Sequence, residues 1–134
     1  MSVRSSGSQP IQIEQDVVLA RQTARKLAQE CGMRLIDLTK MVTAVSELAR
    51  NTMVYGGGGD MDWEILDESG RTGLRLVFRD EGPGIPDLKL AMTDGWTSGG
   101  GLGLGLTGAR RLVEEFELET EPGKGTRITI TRWT

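Results

Sequence analysis

Ser98-Gly-Gly-Gly-Leu-Gly-Leu-Gly-Leu-Thr-Gly108 places six glycines in eleven residues, and apolar residues follow at helical spacing. Glycine accepts backbone angles that other residues avoid and lets a ligand approach the main chain closely. Inside ordered structure each glycine also costs roughly 1 kcal/mol, so six together cost several. A ligand that orders such a stretch has to offset that cost. Phosphate suits it, because bare N–H groups at a helix N-terminus form an anion site. A lid or crossover loop with no ligand is the plain alternative.

Three common nucleotide signatures fit poorly. Gly103-x-Gly105-x-x-Gly108 spells the dinucleotide fingerprint, but a loop, MTDGWTSGGG, stands where a strand is required. The glycine-rich loop of the large protein kinases wants a valine where Arg110 stands. The one Gly-Lys pair, Gly123–Lys124, is followed by Gly125 and not by Ser or Thr.

Outward from the glycines, the polar residues 1–9 read as a flexible N-terminus and 10–134 as a single domain. Ile11 and Ile13 alternate in a short strand, and Asp16 is placed to cap a helix that Gly32 closes. A second helix runs from about Ile36 to Tyr55, with Leu38, Met41, Val42, Val45, Leu48, Ala49 and Thr52 on its apolar stripe. Asp60–Leu66 and Leu74–Phe78 read as strands joined by a turn, and Leu88–Met92 as a helical turn. The glycines lead into a helix through about Phe116, and strands at Leu118–Glu121 and Arg127–Trp133 end the chain. The order favours an α+β fold: a two-layer sandwich with a mixed, mostly antiparallel sheet packed on one face by about three helices.

Composition excludes several classes. The net charge of -3, with 16 basic and 19 acidic residues, leaves no footprint for nucleic acid. No apolar run is long enough to span a membrane, and no signal peptide opens the chain. One cysteine, Cys31, forms no internal disulfide, which points to a reducing cytoplasm and a buried apolar role. There is no histidine, so any metal rests on oxygen ligands.

Glu47 and Asn51 lie four apart and share a helix face roughly opposite the apolar stripe. Asn offers a neutral oxygen to Mg²⁺ and Glu a base, but a solvated helix face would look the same. Asp80 ends a strand before Gly82-Pro83-Gly84, where an acceptor-only carboxylate receives an exocyclic amine or simply caps a turn. Ile85, Leu88 and Met92 offer an apolar slot for a ring. Gly123-x-Gly125-Thr126 opens the last strand, or is an ordinary hairpin turn.

Taken together, these stretches resemble the GHKL (Bergerat) ATP-binding fold of gyrase-type ATPases, Hsp90-class chaperones, histidine kinases and anti-sigma-factor serine kinases. Glu47-Leu-Ala-Arg-Asn51 is similar to the N box, Asp80-x-Gly82-x-Gly84 to the G1 box and Gly99–Gly105 to the G2 box, with Gly123-x-Gly125-Thr126 as the final box. SELARN, DEGPGIPD, DGWTSGGGLGLGL and RLVEEFELET look like the stress-response switch-protein kinases of the RsbT type.

The resemblance implies ATP and Mg²⁺ as cofactors, with Asn51 holding the metal and Glu47 as catalytic base. It implies that Asp80 accepts the adenine amine, while Gly82 and Gly84, with Ile85 and Met92, line the purine. Gly99, Gly100, Gly101, Leu102, Gly103, Leu104, Gly105 and Leu106 would meet the phosphates, in a lid at about Thr93–Leu104. Thr126 would support the adenine end. It further implies a serine/threonine protein kinase acting on a STAS-domain antagonist in a bacterial sigma-factor partner switch, with a PP2C-type phosphatase as a further partner. The alternatives are an anti-sigma factor that sequesters a sigma subunit, and an ATP-driven sensor without transfer. The resemblance assigns no role to Arg50.

Overall fold

The computed structural model describes residues 1–84 and 102–134, apart from the side chains of 102–105. Among the described residues, five strands and three helices follow in the order β1 (Ser2–Ile11), α1 (Glu14–Glu30), α2 (Leu35–Val54), β2 (Gly59–Glu68), β3 (Arg71–Asp80), α3 (Leu102–Leu112), β4 (Glu115–Glu121) and β5 (Gly125–Trp133). The strands form one sheet, ordered β1-β2-β3-β5-β4, in which every described pairing is antiparallel. The α+β expectation holds.

The apolar stripe of α2 explains the layering. Leu38, Met41, Val45, Leu48 and Ala49 are buried, and Ala44 joins them. They meet Val17, Ala20, Ala24 and Leu27 of α1, and the inward row Met61, Ile65, Leu74, Leu76, Phe78, Ile128 and Ile130 of the sheet. Inward residues alternate along the strands because successive side chains point to opposite faces. Leu106 and Ala109 bring α3 onto the same core.

Several boundaries differ from the expectation: β3 and β4 each begin three residues earlier, and Ile13, expected in the first strand, is the residue before α1. Three further differences bear on the site. Residues 1–9, read as flexible, lie largely within β1, which pairs with β2 along Ser2↔Asp67 to Ile11↔Gly59. This strand is polar, so the backbone ladder holds it more than its side chains do. Helix α1 begins at Glu14, and Asp16 sits inside the first turn, where its carboxylate accepts the N–H groups of Gln12 (2.8 Å) and Ile13 (3.1 Å). That is the returning half of a capping box, not an N-cap. Helix α3 begins at Leu102, within the glycine run, and ends at Leu112. Phe116 therefore belongs to β4, beside Ile130.

Two turns set the geometry of the site. Ser69 (φ 50°) and Gly70 (φ 79°) join β2 to β3 with positive φ at both positions, as a two-residue I′ hairpin requires. At the other end of that hairpin, Gly59 pairs with Asp80, and Asp80 pairs on its other side with Thr126. Three strand ends thus share one row beneath the C-terminus of α2.

Candidate nucleotide site

Asp80, Asn51, Gly84, Leu106 and Thr126 line one small cavity with Thr52, Tyr55, Gly56, Phe78 and Ile128. Its volume, about 30 Å³, is that of a single water. The residues come from α2, β3, the segment after β3, α3 and β5, so the site exists only in the folded chain.

Asp80 sits half-buried at the end of β3, and its Oδ1 accepts the N–H of Gly82 at 2.9 Å. Burial pushes its carboxyl above the ordinary aspartate value, against the opposing pull of the Gly82 and Thr126 N–H groups. A carboxylate in this position is short of donors, so a ligand amine would improve its solvation. Thr126 stands beside it on β5, its Oγ1 3.0 Å from that of Thr120.

Asn51 corrects the helical-wheel expectation. The expectation has it point away from the core, but it is buried, 9% exposed, and its Nδ2 has no hydrogen-bond partner among the described residues. The reason is α3, whose Leu106 closes over the C-terminal part of α2 and lines the same cavity. An unpartnered buried amide is costly to leave unpaired. Its presence marks a side chain kept for something other than packing. Glu47, one turn earlier, stays exposed on the solvent side of α2 and has no described partner. Arg50 is also exposed and pairs with Glu14 at 3.1 Å.

The glycines fall into two kinds. Gly84 has φ 75°, and a Cβ there would lie 2.9 Å from the Glu121 carbonyl carbon. The Pro83 carbonyl beside it accepts the N–H of Gly123 at 2.7 Å, which anchors this segment on the β4–β5 turn. Gly82 is needed for space, because a Cβ would lie 2.7 Å from the Gly56 carbonyl oxygen. Of the other expected positions, Ile85, Met92, Gly99, Gly100 and Gly101 lie outside the described residues, as does most of the expected lid. Leu102, Gly103, Leu104 and Gly105 form the first turn of α3. That turn has N–H groups without intrahelical acceptors, the arrangement that attracts anions.

Sequence reading missed Tyr55, Gly56, Phe78 and Ile128 as lining residues. By sequence Phe78 and Ile128 are ordinary strand residues and Gly56 follows the expected end of the second helix, so no local signal joins them. Two larger hollows occur among the described residues. One, of about 700 Å³, adjoins Asp80 and Thr126 along Lys124–Arg127. The other, of about 640 Å³, lies on the helix-free face of the sheet, where ion pairs such as Arg79–Asp62 (2.8 Å) line it. Neither contains Glu47 or Asn51.

A divalent ion fits the donor set in one way only. No group of three or more His, Cys, Asp or Glu among the described residues could cage a metal. Asn51 offers a single neutral oxygen. That suits Mg²⁺ carried on phosphates and waters, and not an all-protein site.

Comparison with known proteins places the chain among relatives. Residues 36–133 match the family described as histidine kinase-, DNA gyrase B-, and HSP90-like ATPase. The chain is 44% identical over 123 residues to the serine/threonine-protein kinase RsbT of Bacillus subtilis (strain 168), covering 92% of each chain. It is 29% identical to an anti-sigma F factor of Clostridium novyi (strain NT), covering 88% of this chain and 86% of that one. Among solved structures it superposes on the RsbU and RsbW domains of a Mycobacterium tuberculosis protein with a TM-score of 0.59 at 20% identity, over 94% of this chain and 32% of that one.

Proposed function

This chain belongs to the histidine kinase-, DNA gyrase B- and HSP90-like ATPase family, and from that premise we propose that it is a serine/threonine protein kinase using ATP and Mg²⁺. Its substrate is a STAS-domain antagonist in a bacterial sigma-factor partner switch. Once released from that partner it activates a PP2C-type phosphatase. One domain, residues 10–134 with β1 completing its sheet, carries the activity.

The observation that carries the reading is the meeting of Asn51, Asp80, Gly84, Leu106 and Thr126 around one cavity, in a chain 44% identical to a named kinase. The cavity takes the amine corner of a purine, with Asp80 as acceptor and Phe78 and Ile128 as apolar floor. Phosphates lie toward the first turn of α3. Mg²⁺, when bound, neutralises phosphate charge, and Asn51 would hold it.

Phosphoryl transfer is mainly positioning and charge neutralisation. The acceptor hydroxyl oxygen forms a bond to the γ-phosphorus as the bond to the ADP oxygen breaks. The hydroxyl proton passes to Glu47, whose exposed position lets a protein substrate reach it. The new phosphoryl group brings up to two negative charges to the partner and opens the complex.

Incubation of the chain with γ-labelled ATP, Mg²⁺ and a STAS protein tests this. Label should appear on a serine or threonine of the partner, and its absence with several cognate candidates would sink the kinase reading. The likeness to anti-sigma F factors supports a second reading, nucleotide-dependent sequestration of a sigma subunit. Capture of a sigma subunit and no STAS protein would favour it.

A further inference from the structure

We propose that Gly56 is a specificity-determining position for the nucleotide base: its bare Cα holds the Asp80 carboxylate where it reads an exocyclic amine. The inference rests on the reading of Asp80 as the purine acceptor.

Gly56 opens a run of four glycines after α2. Gly57 (φ 73°) and Gly58 (φ 104°) are glycine for a backbone reason, since side chains rarely adopt those angles. Gly56 is not in that region, so its backbone would accept alanine. Space is what excludes it. A Cβ on Gly56 would stand 2.5 Å from both Cβ and Oδ2 of Asp80.

On its other side the carboxylate is held by the Gly82 N–H at 2.9 Å. Gly82 in turn packs on the Gly56 carbonyl. The carboxylate thus lies between the bare Cα of Gly56 and a backbone donor, and a Cβ on Gly56 would push it off the Gly82 N–H toward the hollow on its open side. The Gly56 N–H also donates to the Asn51 carbonyl at 3.1 Å, so the peptide that seats Asp80 is bonded to the residue assigned to the phosphate end.

The test measures ATP and GTP dissociation constants of the whole chain by calorimetry with Mg²⁺, alongside Tm. Gly56→Ala should weaken ATP about tenfold or more and leave GTP within about threefold, so base discrimination collapses. Gly57→Asn tolerates the positive φ and faces nothing within 4 Å, so it should keep the wild-type ATP/GTP ratio. In an Asp80→Gly background, with no Cβ left to collide, Gly56→Ala should cost less than about twofold further.

A folded Gly56→Ala chain with the wild-type ATP/GTP ratio overturns the inference. If Gly56→Ala does not fold, the double variant decides. A folded double locates the collision at Asp80, and an unfolded double overturns the proposal. If Asp80→Gly alone leaves the ratio unchanged, the assignment of Asp80 as purine acceptor falls, and the inference with it.

Discussion

The Arg132 guanidinium reaches Asp37 Oδ1 at 2.5 Å and so joins β5 to the first turn of α2 across 95 positions of sequence. Its other terminal nitrogen donates to the Leu112 carbonyl at the end of α3 at 3.0 Å. The Arg132 side chain is only 14% exposed, and its Nε has no partner among the described residues. Arg132→Met should therefore strand the half-covered Asp37 and the Leu112 carbonyl. We expect a loss of about 2 kcal/mol and a Tm lower by about 5–10 °C. Thermal unfolding measures it, and an unchanged Tm would show the pair to be idle.

Asp80 gives a pH prediction whose sign follows from burial. Its folded pKa lies above the unfolded one, so the native state holds the proton more tightly. Stability from this group is present below the unfolded value of about 4 and falls as pH rises through the folded one. Asp80→Asn should then raise Tm slightly at neutral pH while weakening ATP binding about tenfold or more, since an amide no longer accepts as an anion does. In the wild-type chain, ATP affinity should drop on acidification at a higher pH than an ordinary aspartate would give. Calorimetry across pH reads both effects. Identical profiles for wild type and Asp80→Asn would remove Asp80 from the binding site.

Glu47 separates binding from transfer. Because it is exposed and outside the cavity, Glu47→Ala should leave the ATP dissociation constant within about threefold and Tm within about 2 °C. Transfer to a STAS partner should fall by about a hundredfold or more, the range for a positioned base. Full transfer by this variant would cancel the role given to Glu47.

For Asn51 the expectation is a loss of ligand at little cost to the fold. Among the described residues its amide nitrogen makes no bond that truncation would break. Asn51→Ala should change stability by less than about 1 kcal/mol and abolish the Mg²⁺-dependent part of ATP binding. Titration with and without Mg²⁺ measures that part, and equal Mg²⁺ dependence in the variant would end the assignment.

Cys31 is a contrast. Burial pushes its thiol up to about 11, and the backbone carbonyl of Gly73 lies 3.9 Å from Sγ. At pH 8 the thiolate fraction is on the order of one in a thousand, so iodoacetamide should modify the native chain at under a hundredth of the rate in urea. The same shift makes stability fall as pH rises from 9.0 toward about 11. Fast alkylation of the native chain would show this thiol to be accessible.

The parts legible in the sequence were those with a strong period or a strained backbone. The α2 stripe, the ends of β3 and β5, and the Gly32 stop of α1 all follow from local rules. Strand β1 was illegible because SVRSSGSQPI has few strand formers, and its place comes from the ladder with β2. The start of α3 was hidden because glycine argues against helix, whereas burial of Leu106 and Ala109 favours it. Asn51 was read as exposed because a helical wheel does not include the helix that covers it. Gly56 was hidden because a glycine kept for space looks the same in sequence as one kept for its angles.

The β2–β3 hairpin acts as a ruler. Sheet register has a period of two, and a slip of one residue turns every side chain to the opposite face. The positive φ angles of Ser69 and Gly70 fix the pairing from Glu68↔Arg71 to Gly59↔Asp80. A turn about 30 Å from the cavity therefore determines whether Asp80 lines that cavity or faces away from it. A slip of one residue there would turn Leu74, Leu76 and Phe78 out of the core and put the Asp80 carboxylate on the wrong side. In the proposed function, recognition of the base would thus depend on residues that never approach it.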